Sequence, residues 1–244
     1  MPFIEDILKY KSISFVGMEK NAGKTQTLNY VLSRLRTFSK TIALTSIGVD
    51  GETLDIVTNT SKPEIEIYPN TTFITSQALY PQREIVSAIE EVSNQTTALG
   101  RLIQARAITQ GKILLAGPSD TISLKKLIEK LEKNVDLILI DGALSRKTFG
   151  SPSITQAMIL STGASLSASL NVVVKKTKFI YQMTQLPQYE GKFAEQLQQI
   201  ENGIYAITDE GVVDLQIPSL MMIDKYKDKI FACGKKLFVA GALN

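Results

Sequence analysis

The stretch Ser12-Ile13-Ser14-Phe15-Val16-Gly17-Met18-Glu19-Lys20-Asn21-Ala22-Gly23-Lys24-Thr25 decides how the chain is read. Ser12 to Gly17 is short, apolar and stopped by glycine, while Leu28, Val31, Leu32 and Leu35 recur at helical spacing between Lys24 and Phe38. A buried strand therefore runs through a loop into a helix. A loop in that position cradles an anion when its glycines let backbone N–H groups turn inward, and the helix N-terminus adds a favourable dipole. Lys24 is placed to reach the β and γ phosphates of a nucleotide, and the Thr25 hydroxyl to ligate Mg²⁺. Gly17, Lys20, Asn21, Ala22, Gly23, Lys24, Thr25 and Gln26 are the candidate nucleotide-binding residues.

The spacing departs from the common phosphate loop. That form has four residues between its glycines, whereas five separate Gly17 from Gly23, so that Met18 stands where the first glycine is expected. The longer loop resembles that of dethiobiotin synthetase-like ATPases, for which glycine, five residues and Gly-Lys-Thr is the rule. One branch of such ATPases carries an early lysine that reaches a neighbouring subunit's nucleotide. Lys20 stands one position later than that lysine, and a solvated lysine that steers phosphate is the other reading.

Outward from the loop, Thr41 to Ile47 is a second β-branched run ended by Gly48, and a strand after a helix lies parallel to the first through a right-handed crossover. The segments Glu64 to Tyr68 and Thr72 to Ser76 flank the turn-prone Pro69-Asn70, which predicts a hairpin or extended arm over 62–77. Glu84 to Ser93 reads as a helix, Leu99 to Ala107 and Lys112 to Ala116 as apolar segments, and Ile122 to Glu132 as a helix capped by Ser119, Asp120 or Thr121. Asp136 to Ile140 and Ala157 to Ser161 read as strands and Ser169 to Leu186 as a long helix. Two apolar runs, Gly203 to Ile207 and Val212 to Leu215, a helix around Leu220 to Tyr226 and a strand Lys236 to Ala240 complete the reading. The expectation is one α/β domain over 1–244, a mostly parallel sheet flanked by helices with the P-loop NTPase fold. Because the chain stops just after a strand, where a doubly wound sheet usually adds a helix, a shortened C-terminus is also expected.

Asp141 follows the apolar run Asp136 to Ile140, where a Walker B carboxylate holds Mg²⁺ through water. Gly142 comes next, where the AAA and RecA types generally carry a catalytic glutamate. That favours the kinase-GTPase type, in which the Walker B strand lies beside the P-loop strand; the alternative is that Asp141-Gly142 makes a tight turn. Asp50, in Thr45-Ser46-Ile47-Gly48-Val49-Asp50-Gly51-Glu52, follows the second strand and so falls at the same sheet edge. It is the candidate to orient attacking water or bind Mg²⁺, with Glu52 as substitute and a plain turn carboxylate as the alternative. The catalytic candidates are Lys24, Asp50 and Asp141, and the metal candidates Thr25, Asp50 and Asp141. Arg146 and Lys147 follow the Walker B strand, within reach of a γ-phosphate or a partner. No Asn-Lys-x-Asp sequence reads guanine, so ATP with Mg²⁺ is the expected ligand.

Composition excludes several alternatives. The 244 residues contain no histidine, which removes histidine triads, bases and metal ligands. The single cysteine, Cys233, can form no internal disulfide and suits a reducing cytoplasm. With 27 Lys and Arg against 24 Asp and Glu, intermixed, there is no track for nucleic acid. No eighteen-residue apolar stretch and no basic, apolar leader occurs, so neither membrane nor secretion is expected.

Four stretches, Val16-Gly17 through Asn29, Leu44 to Glu52, Leu115 to Ser119 and Leu139 to Arg146, resemble the KamB-type proteins. These are reactivase subunits proposed for the adenosylcobalamin- and pyridoxal-phosphate-dependent lysine 5,6-aminomutase. The resemblance implies an ATPase that helps an aminomutase exchange damaged cobalamin, alongside a second ATPase subunit. Lys20 and Asp50 would both fit a nucleotide-bridged homodimer. The competing class is a dethiobiotin synthetase-like ligase or small-molecule kinase; a metallochaperone lacks the cysteines and histidines for its metal.

Overall fold

A computed structural model describes residues 3–19, 21–47, 64–143, 154–184, 192, 203–208, 211–214, 230–233 and 238–243. Its centre is β1 (Ser12–Gly17), a run whose first five residues are all buried. β1 pairs in parallel with β8 (Leu137–Ala143) on one side and β9 (Ala157–Thr162) on the other. β2 (Ile42–Ser46) extends the sheet beyond β8, and β4 (Thr72–Ser76) lies beyond β2, both parallel. β13 (Phe238–Leu243) pairs in parallel with β9 at the far edge. An antiparallel pair, β6 (Gly100–Ala107) and β5 (Ser87–Thr97), closes the other edge, giving the order β13-β9-β1-β8-β2-β4-β6-β5.

Helices cover both faces because the central strands are apolar on both, as parallel strands buried between layers must be. Ile13 and Phe15 of β1, Leu137 and Leu139 of β8 and Ile159 of β9 form one core with Leu28, Val31, Leu32 and Leu35 of α2 (Lys24–Leu35) and with Ile4 and Ile7 of α1 (Ile4–Ile7). Each of those α2 side chains, fully buried, contributes about 2 kcal/mol. The alternate residues face the other way. Ile138 and Ile140 pack with Leu124, Ile128 and Leu131 of α3 (Thr121–Leu131), and Val16, Met158 and Leu160 with Ile180 of α4 (Leu170–Thr184).

The structure corrects two expectations. Glu84 to Ser93 is not a helix: β5 starts at Ser87 as the edge strand. The hairpin expected over 62–77 divides instead. Asn70 does turn the chain, with φ at 68°, but β4 enters the main sheet while β3 (Ile65–Ile67) pairs antiparallel with β7 (Gly111–Ile113). Asn29 of α2 grips β3, its amide donating to the Glu64 carbonyl at 3.2 Å and accepting from the Glu66 N–H at 3.0 Å. β10 (Gly203–Thr208) lies between β11 (Gly211–Asp214) and β12 (Ile230–Cys233) in a three-stranded antiparallel sheet, of which β12 was not anticipated. The expected helix at Leu220 to Tyr226 lies outside the described residues. Among the described residues, no helix is long and apolar enough to cross a membrane.

Candidate functional site

The carboxyl ends of the parallel strands gather the candidate residues at one edge, where open α/β sheets bind ligands. Gly17 ends β1, opposite Ala143 of β8 and Ser161 of β9. A Cβ on Gly17 would stand 3.3 Å from the Glu19 carbonyl oxygen and 3.5 Å from Lys24 Cβ, so the loop folds tightly over this glycine. Asn21 and Gly23 adopt left-handed backbones, φ 62° and 82°, and the Ala22 N–H between them donates to the Glu19 carbonyl at 3.2 Å.

Gly23 is the N-cap of α2, and its carbonyl accepts from both the N–H and the hydroxyl of Thr27, at 2.9 and 3.0 Å. A left-handed residue followed by right-handed Lys24 turns successive N–H groups toward one point, the arrangement called an anion nest. No side chain caps this helix, and its first N–H groups have no partner within the helix. Thr25 and Gln26 lie in that first turn, Thr25 half-buried and Gln26 exposed.

Strand alternation turns Asp141 toward the α2 face, the face of Leu137 and Leu139. There it meets Lys24, whose Nζ is 3.0 Å from Asp141 Oδ1. The backbone around Asp141 is fixed by register with Phe15 and Ser46 and by its carbonyl, which accepts from Ile47 N–H at 2.9 Å. Asp141-Gly142 is no tight turn: β8 continues through both to Ala143, and a Cβ on Gly142 would meet Ile47 Cδ1 and the Phe15 carbonyl at 3.3 Å. The strand bearing Asp141 and the strand entering the loop are parallel neighbours.

Several residues that support this edge are not among the site candidates drawn from the sequence. Met18, in the place of a glycine, donates its N–H to the Ser161 carbonyl at 3.0 Å and packs on Val16, Met158, Leu160 and Ile180. Thr177 of α4 donates to the Val173 carbonyl at 2.8 Å, and its hydroxyl lies 3.3 Å from Met18 Sδ and 3.1 Å from the Thr162 hydroxyl. Met18 is thereby an anchor that pulls the longer loop onto β9 and α4. Gly117 is the other support. Its Cα lies so close to β2 that a Cβ would fall 1.7 Å from the Ser46 carbonyl oxygen, while Ser46 N–H donates to Ala116 at 3.4 Å. The available signal was position: Ser161 and Thr162 end a parallel strand, as Gly17 does.

Of the sequence candidates, Gly17, Asn21, Ala22, Gly23, Lys24, Thr25, Gln26 and Asp141 assemble here. Lys20, Asp50, Glu52, Arg146 and Lys147 lie outside the described residues. The fold is an α/β sandwich around a mostly parallel mixed sheet, compatible with a nucleotide-binding fold. Comparison with family models, curated proteins and solved structures finds no match.

Proposed function

We propose that this chain is a P-loop ATPase of the kinase-GTPase type, binding ATP with Mg²⁺ at residues 17–25. The observation that carries the reading is the left-handed Gly23 opening α2 with Lys24 Nζ 3.0 Å from Asp141 Oδ1. The residues fit the ligand: a nest and an uncapped helix start for phosphate, a lysine beside it, and a hydroxyl and a carboxylate for the metal. Lys24 and the first-turn N–H groups of α2 would hold the phosphates, and Thr25 and Asp141 the Mg²⁺, with Asp50 the further metal and water-orienting candidate. Magnesium supplies neutralisation of the phosphate charge.

For the coupling, we favour the aminomutase-reactivation role that the KamB-type resemblance implies, in the cytoplasm and alongside a second ATPase subunit. What supports it is convergence. The ends of β2 and β8 and the segment Leu115 to Ser119, in three of the stretches bearing the resemblance, touch one another beside the loop through Ser46, Ala116, Gly117 and the Ile47 to Asp141 hydrogen bond. A ligase or small-molecule kinase draws on a different feature, a cavity of about 170 Å³ between α3 and the β5-β6 pair, floored by Ile74, Leu102 and Leu127 and edged by Lys126.

Thermal unfolding with Mg-ATP tests the nucleotide site. Ligand at 100 times its dissociation constant adds about 2.7 kcal/mol, equivalent to roughly 5–10 °C in Tm for a chain of this size. Lys24→Ala should lose most of that shift, and a wild-type protein indifferent to every nucleotide would overturn the proposal. ATP turnover stimulated only by an aminomutase supports reactivation, whereas phosphate transfer to a metabolite supports the kinase.

A further inference from the structure

The geometry points to a second ligand site, independent of the nucleotide reading: the cavity between α3 and the β5-β6 pair takes a small monocarboxylate with an apolar body. Its volume is about 170 Å³. Ile74 of β4 and Leu102 of β6, both buried, wall it on the sheet side, Leu127 on the helix side, and buried Pro118 completes the apolar lining. An apolar cavity of about 150 Å³ holds one benzene ring, so this one has room for a single ring and little more. The walls are also fixed in advance. The Ile74 carbonyl accepts from the Ala116 N–H at 3.1 Å and the Thr75 hydroxyl donates to the Leu114 carbonyl at 2.7 Å, which binds the segment before Pro118 to β4. A site already in shape loses less free energy to ordering when a ligand enters.

Apolar walls accept any small apolar body, and the charges around them make the choice. Lys126 and Lys130, four residues apart and so on one face of α3, both line the cavity. Lys130 is already engaged, its Nζ paired with the Glu91 carboxylate in a bridge from helix to edge strand. Glu90, the preceding carboxylate of β5, is held by Arg106 and accepts from the Gln104 amide at 2.9 Å. Lys126 is exposed and has no ion pair among the described residues. Two lysines against one glutamate leave the lining with a single net positive charge. One carboxylate matches it. A dianionic phosphate would bring a second negative charge beside Glu91, and a cation would meet Lys126 without a partner.

Benzoate is the probe, with benzyl alcohol as its neutral counterpart. Titrated into the isotope-labelled full chain without nucleotide and followed by nuclear magnetic resonance, benzoate should bind with a dissociation constant of about 1 mM, ordinary for a ligand of so few atoms. It should bind about fivefold tighter than benzyl alcohol, the upper range for one exposed ion pair. Lys126→Gln should remove that preference and leave benzyl alcohol binding as it was, while Lys126→Arg keeps it. Leu127→Trp, which fills the cavity, should abolish the binding of both probes, and Ser93→Phe takes its place if circular dichroism shows that variant unfolded. Failure of both probes to bind, benzoate binding no tighter than the alcohol, a preference that survives Lys126→Gln, or binding that survives the folded filling variant each overturns the carboxylate site. None of these results bears on the Mg-ATP shift, so the two readings stand or fall separately.

Discussion

At the scale of single residues, the absence of a side chain at Gly117 decides how the edge beside Asp141 is built. The atom an alanine would add falls 1.7 Å from the Ser46 carbonyl oxygen and 2.7 Å from its carbon, both backbone, so no rotamer change relieves the clash. Either β2 or the 114–118 segment must move. Gly117→Ala should cost about 3 kcal/mol, the upper end of overpacking effects, measured as a drop in the urea midpoint. It should also reduce the stabilisation by Mg-ATP, because Ser46 is the registered neighbour of Asp141; unchanged stability would show that the two segments are not held so closely. Legibility at this scale was uneven. Gly17, Gly23, Lys24 and Asp141, which the structure brings to one sheet edge, stood out in the sequence because the proposed phosphate loop asks for a particular residue type at each of those places. The roles of Gly117 and Met18 are not legible in this way, since they depend on which backbone lies opposite: Met18 breaks the expected glycine spacing and is instead held by Ser161 and Thr177.

At the scale of elements, periodicity marks the strand-loop-helix around β1, whereas the sequence of β5 has helical spacing for an identifiable reason. Ile85, Ala88, Ile89 and Val92 recur at spacings of three and four. In the structure a bulge between Ile89 and Glu91 inserts one extra residue, so Ile89 and Val92, three apart, stand opposite Ala105 and Ile103. A bulge shifts the phase of a strand and can imitate helical spacing. The pairing of β3 with β7 was hidden for another reason, that a strand's sequence does not name its partner. α3 was read nearly to the residue because its cap has chemistry: the Asp120 carboxylate accepts from the Ser123 N–H at 2.8 Å. That bond also holds the Asp120 carboxyl below its usual range. Asp120→Ala should destabilise the protein by about 1 kcal/mol, with Asp120→Ser restoring most of it. If alanine and serine behave alike in urea unfolding, the cap contributes nothing.

At the scale of the whole molecule, β8 is secured at both ends, and the two fastenings respond to different conditions. Near its carboxyl end Asp141 meets Lys24. At its amino end Asp136 accepts from the Thr41 N–H and hydroxyl, both at 2.9 Å, which ties the start of β8 to that of β2, with Lys40 at 3.9 Å. The Thr41 bonds, aided by Lys40, hold the Asp136 carboxyl below its ordinary value of 3.8. A carboxylate depressed in the folded state binds its proton more readily when the chain is unfolded, so its contribution is complete above about pH 4 and is lost as pH falls through the folded value. Asp120 acts in the same sense. Stability should therefore be level near neutrality and decline below about pH 4. Asp136→Asn should be less stable at neutral pH, with a shallower acid decline, because it has no such proton to take up. Urea midpoints taken across pH 2.5 to 7 check this, and parallel curves for wild type and variant would rule out Asp136 as a source of the decline. The same variant should keep its stabilisation by Mg-ATP at neutral pH, since the lost bonds lie at the opposite end of β8 from Asp141.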